Sequence, residues 1–395
     1  MPLHTSIINN LLTGPLSLAD LQTLTQVSLP TLRRAVQELS DNHWIRVVGQ
    51  SEANGGRPAM LFGLDDSHYL MLGVHVQLPG LYMIVSDLGG HVLDEIELFQ
   101  QVQPTPDQVV QAILDYALAS RTRFAGRGIL GIGIAAPGFT DPQSGDVIAI
   151  GRVPGWQNFP ICRRLEAALD LPVRIANDVD CMAFAEFQHT DKSLANNLAY
   201  IGFDEGVKVS MFLNGELYKG PAGNTGLIMS HFLRVPDVDI SLEDQQHLMT
   251  ITGVNHIFEQ KLAALSAAEQ ERYAPMLDAN YRERFGLILT ADGHDFPLCD
   301  AIMTTLRQVL AAVVANFVYM IQPDHIIIGG LLSLMPEPLF TQLSVSIRDH
   351  LPPLFANRLH IEKGQFASSD SAAQGANYHF MESYLLRDDR PRLIR

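Results

Sequence analysis

The sequence predicts an α/β protein that begins with a small helical module. Three observations carry this. From about residue 66 onward, apolar runs of strand length alternate with helical stretches. Within roughly the first 40 residues, three short capped helices follow one another, and a hairpin pattern comes after them. Apolar residues make up 47% and charged residues 18% of the chain, which allows a large core and excludes wholesale disorder. The length of 395 residues suggests two or three domains.

The N-terminal elements follow from local chemistry. Ile7, Ile8, Leu11 and Leu12 are spaced for one helix, ended by Gly14-Pro15. Ser17 caps a second helix, with Asp20 placed to close a capping box and Leu18, Leu21 and Leu24 along it. Ser28 caps a third, with Pro30 in its first turn and Leu32, Val36 and Leu39 on one face. Trp44–Val48 and Ala59–Phe62 read as two strands, joined through a polar loop ending in Gly55-Gly56-Arg57-Pro58. Three helices and a hairpin predict a winged helix-turn-helix over residues 1–64.

The body reads as alternating strands and helices. Strands are expected at Leu70–Val76, Leu81–Asp87, Ile129–Ala135, Val173–Ala176 and His325–Ile328. Leu198–Phe203 and Val209–Leu213 read as a hairpin turning at Asn214-Gly215. Helices are expected at Pro106–Ser120, Met182–Phe187, Thr304–Ile321 and Ala372–Leu385. No short repeat is visible, although two lobes of similar build need not keep a sequence period.

Composition limits the partners. The net charge of −16 argues against a chain that coats nucleic acid along its length, though not against one small DNA-binding module. Cys162, Cys181 and Cys299 are too few and too scattered for a disulfide framework or a four-thiolate metal site. No apolar run approaches the ~18 residues of a membrane span, and the N-terminus lacks a secretion signal, so a cytoplasmic protein is expected.

In a winged helix the third helix enters the major groove. Thr31, Arg33, Arg34 and Gln37 are the groups available there, with Arg57 on the wing. Arginine and glutamine make paired hydrogen bonds to base edges, and threonine contacts phosphate. The bland alternative is that the arginines simply solvate a helix face. The module carries four arginines against Asp20, Glu38, Asp41 and Glu52, so a single copy is expected to bind weakly and a dimer more tightly.

Five segments together resemble the ROK family of repressors and sugar kinases. They are Gly55-Gly56-Arg57-Pro58, Gly131–Gly138, Pro154-Gly155-Trp156-Gln157-Asn158, Ala176-Asn177-Asp178-Val179-Asp180 and Ile326–Gly330. The resemblance implies an actin-like (ribonuclease-H-like) body of two lobes, with a ligand cleft between them. The first lobe is expected over 66–175 with a C-terminal helix at 371–395, and the second over 176–370. In the family's kinases the Asp of the Asn-Asp motif takes the proton from the attacking hydroxyl. That position here is Asp178, expected to be vestigial, and Asn177 would bond sugar hydroxyls. The bland reading of the pair is a helix cap.

The resemblance fails where nucleotide would bind. The kinases' Asp and glycines are replaced by Gly73–Leu78, with His75 in the acid's place. The second phosphate loop reads Asp204-Glu205-Gly206-Val207-Lys208-Val209-Ser210, with one glycine left and Lys208 the cation at hand. Leu331 alters the third turn. The family's zinc motif has become Gly223-Asn224-Thr225-Gly226-Leu227, and His231, His247 and His256 lack thiolate partners, so no metal and no cofactor are expected. A sugar pocket would draw on Asn158, Asn177, Asp178 and Asn224.

The expected function is a repressor of carbohydrate metabolism that senses a sugar or sugar phosphate. Its partners would be a DNA operator, a small carbohydrate effector and further copies of itself, as dimer or tetramer. The alternative is an ATP-dependent sugar kinase with a regulatory DNA-binding arm. A third reading is a ligand-independent regulator or scaffold.

Overall fold

The computed structural model describes residues 3–51, 58–100, 102–151, 153–190, 196–204, 206–220, 223–227, 248–366 and 368–385. The chain divides into two compact units, 1–189 with 369–395, and 190–368. The first therefore runs past the expected boundary at 175. The helix that begins with Asp178 continues directly from a strand of the first sheet and packs on that sheet. The N-terminal module also falls within the first unit.

The N-terminal module contains α1 (Leu3–Leu11), α2 (Leu18–Thr25) and α3 (Leu29–Asp41). Its strands are β1 (Leu16–Ser17), β2 (Ile45–Gln50) and β3 (Met60–Leu64), in the order β1-β3-β2 and all antiparallel. Both expected caps form. The Ser17 hydroxyl accepts from the Asp20 amide, and the Asp20 carboxylate accepts from the Ser17 amide at 2.9 Å. The Ser28 hydroxyl accepts from the Thr31 amide. Gln26, in the left-handed region at φ 55°, turns the chain between α2 and α3. The core of the module is continuous with the body: Leu32, Val36, Leu39 and Trp44 share one cluster with Met71, Leu130, Phe380 and Met381. The Trp44 ring lies 5.6 Å from that of Tyr69, whose hydroxyl donates to the Asn42 carbonyl.

The rest of the first unit is built on a five-stranded sheet ordered β10-β7-β4-β5-β6. Its strands are β4 (Tyr69–Val76), β5 (Leu81–Asp87), β6 (Val92–Leu98), β7 (Gly128–Ala136) and β10 (Val173–Asn177). β10, β7 and β4 are parallel, and β5 and β6 complete an antiparallel meander. The helices α4 (Pro106–Arg123) and α5 (Ile161–Leu169) contribute Val109, Ile113, Leu165 and Leu169 to the core with Leu72, Val74, Ile132 and Ile134. A small antiparallel pair, β8 (Phe139–Asp141) and β9 (Asp146–Ala149), follows β7, and α6 spans Asp178–His189.

The glycines of β4 and β7 have a packing reason. A Cβ at Gly73 would sit 2.2 Å from the Ala373 carbonyl oxygen, and one at Gly133 would sit 2.1 Å from that of Ala376. The helix Ser368–Phe380 lies so close to the sheet that its backbone takes the room a side chain would need.

The second unit repeats the strand plan. Its sheet is ordered β13-β12-β11-β14-β15. The strands are β11 (Asn197–Phe203), β12 (Val207–Leu213), β13 (Glu216–Leu217), β14 (His325–Gly330) and β15 (His360–Lys363). Again three strands are parallel and two continue antiparallel as a meander. The β11–β12 hairpin does not turn at Asn214-Gly215, as the sequence suggested. It turns at Asp204–Gly206, where the Asp204 amide donates to the Gly206 carbonyl. Asn214-Gly215, both at positive φ, instead joins β12 to β13. An Asn-Gly signal identifies a tight turn but not which strands it links.

The helix Pro297–Ile321 has 25 residues and by length and composition could cross a bilayer. Leu306, Val309, Leu310, Val313 and Val314 are instead buried in the core of the second unit with Ile201, Ile326 and Ile328. It is a core helix of an α/β layer.

Candidate functional site

The DNA-reading residues expected on α3 share its outer side. Thr31, Arg33, Arg34 and Gln37 are all exposed, while Leu32, Ala35, Val36 and Leu39 are buried beneath them. Three of the four are engaged: the Thr31 hydroxyl bonds the Ser28 hydroxyl at the start of the helix at 2.8 Å, and Arg34 and Gln37 bond within it. Arg34 Nε donates to Glu38 at 2.9 Å, and Gln37 Nε2 donates to Asp41 at 2.7 Å. Both are one-turn pairs at an exposed surface, held weakly enough to be exchanged for another acceptor. The Arg34 guanidinium holds the Glu38 carboxyl below its ordinary range, with His4 adding to the effect. Arg46 is bound away from this face by Asp66. The wing residue Arg57, with Gly55 and Gly56, lies outside the described residues.

The ligand-side residues of the first unit meet at the C-terminal ends of β7 and β10. Asn177 closes β10 opposite Ala136 of β7 and is 5% exposed. Its Nδ2 donates to the Gly138 carbonyl at 3.1 Å, and its Oδ1 accepts from the Val179 amide at 3.1 Å. Asp178 Oδ1 accepts from the same amide at 2.8 Å. The helix-start role weighed for this pair is therefore present in the structure, and Asp178 remains partly exposed.

Gly138, at φ 77°, sits so close to Ala149 that a Cβ would lie 2.3 Å from its carbonyl oxygen. The Asn158 amide donates to the Ile148 carbonyl on the same strand, β9, and Asn158 is exposed. A continuous run of bonds and contacts thus brings Asn158, Asn177 and Asp178 to one corner of one sheet. Strand ends of this kind are where open α/β sheets bind ligands. Trp156, from the same loop as Asn158, is fully buried and belongs to the core.

Asn224 belongs to the second unit. It lies in a segment that runs beside β12: the Val209 amide donates to the Gly226 carbonyl, and Thr225 donates to the Tyr218 carbonyl. His231 and His247 lie outside the described residues, and His256 is exposed on the helix Ile251–Ala263.

The three segments expected in place of the phosphate loops use their own groups. The Gln77 amide donates to the Gly80 carbonyl, and the Gln77 side chain bonds the buried His75 at 3.1 Å. Asp204 is paired with Arg282 of the helix Tyr281–Thr290, through Nη1 at 3.2 Å and a second bond from Nη2. The sequence had suggested Lys208 as the cation offsetting this carboxylate. Arg282 provides that pairing, from 78 residues along the chain. Glu205 lies outside the described residues. At the third turn the Gly330 amide donates to the buried Tyr200 hydroxyl at 2.9 Å. A Cβ at Gly329 would sit 2.1 Å from that same oxygen. Tyr200 and Arg282 were missed by sequence reading. Tyr200 looks like one more strand residue, and nothing local ties Arg282 to Asp204.

Comparison with known proteins agrees with this architecture. DNA-binding transcriptional repressor Mlc of Escherichia coli K12 is 23% identical over 370 residues, covering 92% of this chain and 89% of that one. A crystal structure of a ROK family transcriptional regulator, homolog of E. coli Mlc, superposes with a TM-score of 0.74 at 20% identity, over 95% of this chain and 96% of that one. A ROK family glucokinase from Streptomyces griseus, solved with glucose and AMPPNP, gives 0.64 at 19% identity, over 78% of this chain and 98% of that one. Residues 78–239 match the ROK family model, so the chain carries a ROK-family domain.

Proposed function

We propose that this protein is a DNA-binding transcriptional repressor of carbohydrate metabolism, in which a ROK-type body senses a sugar or sugar phosphate. The N-terminal module acts as a winged helix, with α3 in the major groove and Thr31, Arg33, Arg34 and Gln37 as readers, assisted by Arg57. Asn158, Asn177, Asp178 and Asn224 contact the effector. The protein acts as a homodimer or tetramer, so that two modules engage one operator.

The observation that carries this reading is the continuity of the first unit. β4 and β7 touch the N-terminal module at one end, through Met71 and Leu130. β7 ends at Ala136, opposite Asn177. The helix Ser368–Phe380 lies along both strands and ends against the module at Phe380 and Met381. A ligand that shifts the β7–β10 corner therefore acts on a stiff packed body to which α3 is joined. Such a ligand changes DNA affinity by binding one arrangement better than the other. The likeness to Mlc, which is named a DNA-binding repressor, supports the DNA half. The fold shared with a glucose-bound kinase supports the sugar half.

The kinase reading is disfavoured by the three loops, each occupied by its own side chains. It is tested by incubation with ATP, Mg²⁺ and a hexose panel, and sugar phosphate formation would establish it. The repressor reading is tested by fluorescence anisotropy on DNA from upstream of the protein's own gene. Arg33→Ala is expected to weaken specific binding by about 1–3 kcal/mol and flatten sequence preference. Asp178→Ala should bind DNA normally and lose the response to sugar. Binding to every DNA at the non-specific level would overturn the proposal.

A further inference from the structure

The second unit brings two imidazoles and a carboxylate together where neither the sugar nor the DNA reading uses them. In the parallel pairing of β14 with β15, His325 lies opposite His360. Residues paired in a parallel ladder face the same side of a sheet, and so do residues two apart on one strand. Glu362 therefore joins His325 and His360 on one face, while Ile326, Ile328 and Ile361 point into the core on the other. The backbone fixes this register, because the His360 amide donates to the Asp324 carbonyl at 3.0 Å.

The side chains converge. His325 Nε2 lies 2.9 Å from one Glu362 oxygen, and His360 Nε2 lies 3.3 Å from the other. The two rings are 4.7 Å apart, edge to face. His325 is fully buried, yet neither of its ring nitrogens has an aligned hydrogen-bond partner. The Glu362 oxygen is close enough but lies off the line a shared proton would take. His360 Nε2 hydrogen-bonds its Glu362 oxygen, whereas His325 Nε2 and the other oxygen, held at 2.9 Å without an aligned hydrogen bond, match the edge of a polyhedron around an ion at about 2.0–2.2 Å. His360 and Glu362 are partly exposed, which gives an ion a way in.

We propose that His325, His360 and Glu362 form a binding site for a divalent transition ion of the zinc type. Two imidazoles and one carboxylate suit Zn²⁺, Co²⁺ or Ni²⁺ rather than the oxygen-seeking Mg²⁺ or Ca²⁺. Three protein ligands leave a position for water. The ion fastens the edge strand β15 to β14. β15 also carries Lys363, whose ammonium donates to the Met335 carbonyl and pairs with Glu337 at 2.8 Å. The site is thus a staple on the sheet edge where β14 and β15 begin.

The test uses the full chain, freed of metal by chelator and then titrated with Co²⁺ while its visible d–d absorption is followed. One equivalent is expected to bind, to be displaced by Zn²⁺ and to be unaffected by excess Mg²⁺. Zn²⁺ should raise the melting temperature. His360→Ala and Glu362→Gln, both at partly exposed positions and checked for folding by circular dichroism, should weaken binding by more than about tenfold. Groups one layer out from a metal already contribute about 10–100-fold. His68→Ala removes an imidazole from the other histidine pair, His43 and His68 beside Asp65, and should bind Co²⁺ like the parent. No Co²⁺ uptake by the parent, or equal uptake by His360→Ala, would overturn the proposal.

Discussion

Removing Arg282 tests whether the Asp204 turn is held by a tertiary ion pair. Arg282→Met keeps the length and apolar stem of the side chain and deletes the guanidinium. The pair is two-pronged, and its side chains are 27% and 13% exposed. Breaking a fully buried pair costs about 3–5 kcal/mol, because a charge is left in low dielectric. A surface pair contributes about 0–1 kcal/mol. The present exposures lie nearer the buried limit, so the expected loss is about 2–3 kcal/mol. Asp204→Asn should cost about 1–2 kcal/mol, since the more exposed guanidinium can turn to solvent. The double variant should recover about 1–2 kcal/mol relative to the sum of the single losses. Both tryptophans, Trp44 and Trp156, belong to the first unit, so their fluorescence would not report the loss. Urea unfolding should be followed by far-ultraviolet circular dichroism, with hydrogen exchange at the β11 and β12 amides as the local readout. A loss below about 0.5 kcal/mol for Arg282→Met, or strict additivity in the double variant, would refute the reasoning.

Two further outcomes follow from packing and capping. Gly133→Ala drives a Cβ into the Ala376 backbone and should lower stability by about 1–3 kcal/mol, read as a drop in melting temperature, whereas Gly126→Ala, at an open turn with φ 97°, tests backbone strain alone. Ser17→Ala removes the α2 cap and should cost about 0.5–2 kcal/mol in a denaturant titration. The Ser17 hydroxyl and then its amide hold the Asp20 carboxyl below its ordinary 3.8. The cap's contribution is therefore complete above that value and is lost as pH falls below about 4. Stability differences between parent and Ser17→Ala should accordingly narrow in acid, and an unchanged gap would contradict the role given to Asp20.

Much of the fold was legible because its causes are local. Ser17 with Asp20, and Ser28 with Pro30, announce helix starts whatever surrounds them. The runs at 70–76, 129–135 and 325–328 announce buried strands. The Asn-Asp pair was recognisable as a motif, and both of its readings, ligand contact and helix start, arise from the same side-chain oxygens. The boundary at 175 was misplaced because a strand and the helix that continues from it carry no composition change between them. Asn214-Gly215 was a true turn assigned to the wrong hairpin, since turn chemistry fixes a backbone conformation but not a pairing.

The sequence alone determined the three N-terminal helices, the main buried strands and the exposed face of α3. Tertiary structure alone decided the long-range partners. Arg282 reaches Asp204, Tyr200 seals Gly330, and the C-terminal helix presses on Gly73 and Gly133, across separations of 78 to 300 residues. Only the register of β14 against β15 sets His325 beside His360 and Glu362. Local propensity reaches a few residues along a chain, whereas the partner of a buried charge or of a bare amide is whichever group the packed sheet brings within hydrogen-bond distance.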